Sequence, residues 1–171
     1  MLSRLEGFEF VGISEAMLTI DEFANSNYPY EQGLIKVIRN NASYAISNQL
    51  EYLSTTEHPI KFEGYERLNP VMFRESKRLG DHLGHNGFVS CHVFISPKDS
   101  QSFGIHTDPD DVVLYMVKGR KVFEHPEGTV ELNEGQTLVI PRNYPHRAIN
   151  TDDSIMLSFG LELFLEQKLW V

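Results

Sequence analysis

From Phe88 onward the chain is written almost wholly in short apolar runs separated by tight-turn residues, a pattern that suits paired strands and not a helical bundle. The runs fall at 88–96, 112–117, 121–124, 129–132, 136–140 and 155–164. Lys98-Asp99-Ser100-Gln101 and Lys118-Gly119-Arg120 are the sharpest of the turns between them. Successive side chains of a strand point to opposite faces, so such runs bury one face each and need a second layer. Several of them in succession predict a sandwich or a barrel.

The first 87 residues are mixed. The segment 7–13 alternates and reads as a strand. Ser14 is placed to cap a helix over 15–24 that buries Met17, Leu18 and Phe23, and 25–29 is turn chemistry. A strand is expected over 33–39, ended by Asn40-Asn41. Ile46, Leu50 and Leu53 predict a short amphipathic helix ending near Ser54. His58-Pro59 marks a turn before a strand at 60–65. Residues 74–79 form a helical turn or two, stopped by Gly80, and 81–87 is a loop. The expectation is a single domain over 1–171, in which a mixed α/β flanking region, 1–87, packs against or extends a β-barrel core, 88–171.

A chain of 171 residues has room for one sizeable core. Its net charge of −9 argues against generic binding to nucleic acid or to an anionic membrane. The single cysteine, Cys91, excludes an internal disulfide and a cysteine-based zinc site, and its apolar neighbours mark it as a core residue. Glu6 interrupts the start before any signal-peptide core develops, and no stretch approaches the roughly 18 apolar residues of a spanning helix. A soluble, intracellular, cytoplasmic protein is expected.

The chemistry gathers in 102–150. His106 and Asp108 are two apart, so on an extended chain both project to the same side. His146 follows a Gly-bounded apolar run that ends at Pro141. Two His and one carboxylate make a metal face that leaves coordination positions of a ferrous ion open. The remaining histidines fit blander roles. His58 and His125 precede Pro, and His92 lies within a strand. His82 and His85, three apart in a Gly-rich loop, form a spacing without a nearby third ligand.

The pattern Gly135-x5-Pro141-x4-His146-x3-Asn150 resembles the second motif of cupins, with Asn143 where that family usually has Gly. Asn tolerates positive φ better than other non-Gly residues. The first cupin motif departs further, since Asp108 replaces its second His. The run from His106-Thr107-Asp108 through Tyr115 to the hairpin Lys118-Gly119-Arg120-Lys121 is instead similar to the Jumonji C (JmjC) iron(II)/2-oxoglutarate-dependent oxygenases. The likeness is to the cupin-like subgroup of ribosomal oxygenases and asparaginyl hydroxylases, and it covers 88–163.

That resemblance implies a mainly β double-stranded β-helix (cupin, jelly-roll) barrel with a few N-terminal helices. It implies Fe(II) held by His106, Asp108 and His146. The cosubstrate 2-oxoglutarate would be gripped at its far carboxylate by Lys121, with Arg120 the competitor for that task. Tyr115, Thr137 and Ser158 are candidate further contacts. The implied reaction consumes O2, hydroxylates an unactivated C–H bond of a protein side chain or small molecule, and releases succinate and CO2. The acidity of the chain favours a basic substrate among proteins. Two other classes remain open: a metal cupin working as an isomerase or as a dioxygenase without 2-oxoglutarate, and a barrel that binds a ligand without catalysis. The apolar segment 161–171, with Leu163, Phe164, Leu165, Leu169 and Trp170, is a docking candidate, and a homodimer is one arrangement that would use it.

Overall fold

The structure, a computed structural model, describes residues 1–163. Three short helices, α1 (Ile13–Met17), α2 (Ile20–Asn25) and α3 (Asn27–Glu31), precede a hairpin of β1 (Ile35–Arg39) and β2 (Ala42–Ala45). There follow α4 (Gln49–Ser54), β3 (Ile60–Phe62), a single 3-10 turn at Tyr65–Arg67, and α5 (Pro70–His82). The remainder is β4 (Val89–Ser96), β5 (Asp111–Lys118), β6 (Arg120–His125), β7 (Gly128–Asn133), β8 (Thr137–Ile140), β9 (Arg147–Ile149) and β10 (Ser154–Leu161). The strands form a seven-stranded sheet in the order β2-β1-β3-β4-β10-β5-β8 and a three-stranded sheet in the order β7-β6-β9. Every pairing is antiparallel.

Strand parity divides the large sheet into two faces. Cys91, Val93, Val113, Leu157 and Phe159 point outward, and the helices and the N-terminal segment bury them completely. Val112, Leu114, Met116, Leu138, Ile140 and Met156 point inward and pack against Phe123 and Leu132 of the small sheet. The two sheets thus close a double-stranded β-helix barrel of mainly β architecture, as the sequence predicts. The first half both extends it, through β1 to β3, and covers it. No helix among the described residues is long and apolar enough to cross a membrane.

The β6 hairpin turns at Gly119, with φ 80°, where an added Cβ would lie 2.1 Å from the Asp153 carbonyl oxygen. Only glycine meets both conditions.

The first half departs from expectation at several points. Residues 7–12 form no strand; the alternation there reflects Phe10, which stacks 5.0 Å from Phe159 and meets Tyr115 at a tilt, 4.9 Å away, without a ladder partner. The helix expected over 15–24 is two helices broken at Leu18 and Thr19, with Leu18 exposed and Gly12 rather than Ser14 at the first N-cap. In α4, Leu50 and Leu53 face solvent, and only Ile46, ahead of the helix, is buried. The thirteen-residue α5 starts at Pro70, capped by the Asn69 side chain, and runs through Gly80. Gly80 serves packing there: a Cβ would meet the Val89 side chain at 3.0 Å. Asn40 and Asn41 do end β1, both with positive φ, but they turn it into β2, an exposed edge strand without an apolar pattern. From Phe164 onward, the proposed docking segment lies outside the described residues.

Candidate metal centre

His106 and His146 face each other across an isolated antiparallel bridge, each backbone N–H donating to the other's carbonyl at 3.0 Å. Their rings lie 4.4 Å apart, centre to centre. His106 Nδ1 is 2.8 Å from the Gly104 carbonyl oxygen, and His146 Nδ1 is 2.9 Å from that of Tyr144. A carbonyl oxygen only accepts, so each Nδ1 carries the hydrogen and each Nε2 is the free ligand atom of the neutral ring.

Asp108 completes the group. Its Oδ1 lies 3.9 Å from His106 Nε2 and its Oδ2 3.3 Å from His146 Nε2. The Asp108 carbonyl accepts from the Asn143 amide at 2.8 Å, and Asn143 has a φ of 61°, so the asparagine supports the turn expected of it. One ligand atom from each of the three residues lies within 4.8 Å of the other two. Among the described residues no other group of three His, Cys, Asp or Glu side chains meets that condition. Two imidazole nitrogens and a carboxylate oxygen suit a divalent first-row metal, iron(II) included.

Burial acts to raise the Asp108 pKa, but the hydrogen bond and attraction from His146 prevail and leave it lowered. For His146, burial acts downward and the Asp108 contact outweighs it, leaving the pKa raised. A proton and a metal ion therefore compete for the same atoms. Asn150 steadies the approach to His106: its buried Nδ2 donates to the Ser100 carbonyl at 2.9 Å and lies 3.0 Å from Ser102 Oγ.

The triad opens onto a cavity of about 220 Å³ between the two sheets. Lys121 lines its interior and is 1 % exposed. Its Nζ donates to Ser96 Oγ at 3.0 Å and sits 5.8 Å from the centre of the Phe94 ring. Among the described residues it has no carboxylate partner within ion-pair distance. Burial lowers its pKa to about 7. Arg120, one residue earlier and of opposite parity, pairs instead with Glu131 at 2.9 Å and Asp152 at 3.3 Å.

Parity also sorts the other candidates. Ser158 lines the cavity. Tyr115 and Thr137 pair across β5 and β8 on the outer face, where Tyr115 meets Phe10 and Thr137 Oγ1 accepts from the Leu5 amide at 3.0 Å. His82 Nε2 lies 2.8 Å from the Glu6 carbonyl and ties α5 to the N-terminal segment, and among the described residues neither His82 nor His85 belongs to a metal-binding group of three.

Two cavity residues escaped the sequence reading. His92 lines the cavity from β4, and Lys61 does so from β3. For His92 the signal was parity: His92, Phe94 and Ser96 alternate with the apolar Cys91, Val93 and Ile95, which places them on the opposite face of β4.

The cupin-domain profile matches residues 92–164, under half of the chain. No curated protein matches the sequence. The ribosomal oxygenase YcfD of Escherichia coli is similar in fold, with a TM-score of 0.65 at 16% identity over 99% of this chain and 49% of that one. Its structure with cobalt and 2-oxoglutarate gives 0.65 at 14% identity, over 99% of this chain and 50% of that one. A protein of unknown function from Streptococcus pyogenes is 26% identical over 44% of this chain and 66% of its own, with a TM-score of 0.42. The chain thus spans about half the length of the oxygenase, and its fold is the jelly-roll of cupins.

Proposed function

We propose that the protein is an iron(II)- and 2-oxoglutarate-dependent oxygenase that hydroxylates an unactivated C–H bond. The observation that carries this reading is the pairing, within one cavity, of a His-Asp-His group with a buried lysine that has no counter-ion among the described residues. An uncompensated ammonium in an apolar interior is unfavourable, and an anionic ligand removes that penalty. The fold supports it too, since the oxygenase of similar fold holds cobalt and 2-oxoglutarate in its own structure.

His106, Asp108 and His146 would hold the metal through Nε2, a carboxylate oxygen and Nε2. Iron(II) bound there would supply the activation of O2 that couples hydroxylation to the conversion of 2-oxoglutarate into succinate and CO2. Lys121 receives the far carboxylate of the cosubstrate, with Ser96 fixing the direction of its ammonium. Phe94, Phe123, Leu114 and Met156 keep that end of the cavity dry, which strengthens the charge pairing. The backbone carbonyls of Gly104 and Tyr144 hold both rings in the ligating tautomer throughout.

The test is a melting curve of metal-loaded protein with and without 2-oxoglutarate, alongside an assay for succinate. The reading requires a rise in Tm for the wild type and little or none for Lys121→Met. Metal binding without any response to 2-oxoglutarate would sink it and favour a cupin that works without that cosubstrate.

A further inference from the structure

The cavity has a second cationic pole that the metal and Lys121 leave unassigned. Lys61 lines it from β3, with its Nζ 5.9 Å from the centre of the same Phe94 ring that Lys121 approaches. Its partner Glu63, at 3.0 Å, is shared with Lys36 at 2.9 Å, so two ammonium groups hold one carboxylate and the cluster keeps a net positive charge.

His92 and Ser158 stand opposite each other on β4 and β10 and line the cavity beside this cluster. His92 Nδ1 accepts from the Gly64 amide at 3.3 Å, so the neutral ring carries its hydrogen on Nε2. Burial first, and then the charge of Lys61, lower the pKa of His92 to about 4, which keeps it neutral. An ammonium, an imidazole N–H and a hydroxyl form a set rich in donors, and the neighbouring wall of Phe94, Met156 and Leu114 is apolar.

We infer that Lys61, His92 and Ser158 form a carboxylate-binding subsite, and that the molecule oxidised is a small carboxylic acid with an apolar body. The inference rests on the oxygenase reading for its chemistry but not for its geometry. The net charge of −9 repels an acidic polypeptide over its whole surface, whereas a small anion inside the cavity responds chiefly to the nearby cluster. The same cluster opposes a basic side chain at this position.

The test loads the protein with Zn(II) and saturating 2-oxoglutarate and measures binding of butyrate and benzoate against butyramide and benzamide, by calorimetry and by melting. The wild type should bind the acids and not the amides. Lys61→Met should weaken the acids at least about tenfold while leaving 2-oxoglutarate within about twofold, and Lys61→Arg should retain them. Acids bound no better than amides, with 2-oxoglutarate bound normally, would overturn the subsite and spare the oxygenase. So would a loss of 2-oxoglutarate in Lys61→Met equal to that in Lys121→Met, since Lys61 would then belong to the cosubstrate grip. Tighter binding of a blocked Ala-Asp-Ala peptide than of either acid would overturn the assignment to small molecules. Lys61-dependent acid binding in a wild type that takes no 2-oxoglutarate would uphold the subsite and remove the oxygenase reading.

Discussion

The two faces of the seven-stranded sheet do different work with the same strands. On β4 and β10 the outward positions, Cys91, Val93, Leu157 and Phe159, are apolar and wholly enclosed by helices and by the N-terminal segment. The inward positions of the same strands include His92, Phe94, Ser96, Met156 and Ser158, which line a cavity or support the residues that do. A fully packed face can supply stability because nothing has to enter it. A face that must admit a ligand keeps open volume and polar groups, and gives up some of that stability.

If this division is right, substitutions on the two faces separate function from stability. The largest effect is expected from His146→Ala, which removes one of the three candidate metal ligands on the inner side. Succinate formation should fall below detection while Tm changes by only a few degrees, as a coupled assay and a melting curve would record. Phe159→Ala on the outer face should do the reverse, lowering stability by about 3–5 kcal/mol in denaturant titration, with metal affinity retained by the molecules that remain folded.

Lys121→Met sharpens the contrast because it bears on both properties. The Kd for 2-oxoglutarate should rise about a hundredfold. The unliganded protein should become more stable, since a lysine whose folded pKa lies below its unfolded value destabilises while it is protonated. With the folded pKa at about 7, that penalty is full in acid and fades as pH rises toward the ordinary lysine value. The advantage of methionine should therefore be largest near pH 6 and small by pH 10. Over the same range the wild type should bind 2-oxoglutarate more weakly as pH increases, because binding then requires the uptake of a proton.

The smallest effect is expected at Glu66, a buried carboxylate on the enclosed side. It is 2 % exposed, and the Cys91 backbone, which favours its charged form, does not offset the cost of burial. Burial raises its pKa. Stability from its protonated form is fully present below the unfolded value and is lost as pH climbs through the folded one. Glu66→Gln should accordingly stabilise the protein by about 1 kcal/mol at pH 8 and by nothing measurable near pH 4.

The barrel strands were legible because period-two alternation and Gly, Asn or Pro turns agree at nearly every boundary from Val89 to Leu161. The three metal-site candidates were legible because short spacings carry them: His106 and Asp108 share one side, and Pro141 delivers the chain to His146. The first half was less so. Leu50 and Leu53 have helical spacing but face solvent, since no element among the described residues lies over that side of α4. Gly80 looked like a terminator because its packing against Val89 is a tertiary fact. The polar edge strand β2 has no apolar pattern to detect. Lys61 was hidden for another reason: it reaches the cavity through the pairing of β3 with β4, and nothing local announces a long-range register.

The paired backbone hydrogen bonds between His106 and His146 work as a clasp. They fix the distance between two candidate ligands without regard to the length of chain looped out between them. The turn at Pro126-Glu127 lies outside that pairing, and Glu127 accepts from the Tyr144 hydroxyl at 3.2 Å while the Tyr144 carbonyl meets His146, so the turn can lengthen while the three candidate ligands stay in register. A short Gly-Ser insertion there should leave metal affinity unchanged in calorimetry. A family built on such a clasp can vary what surrounds its chemistry while the chemistry itself stays in place.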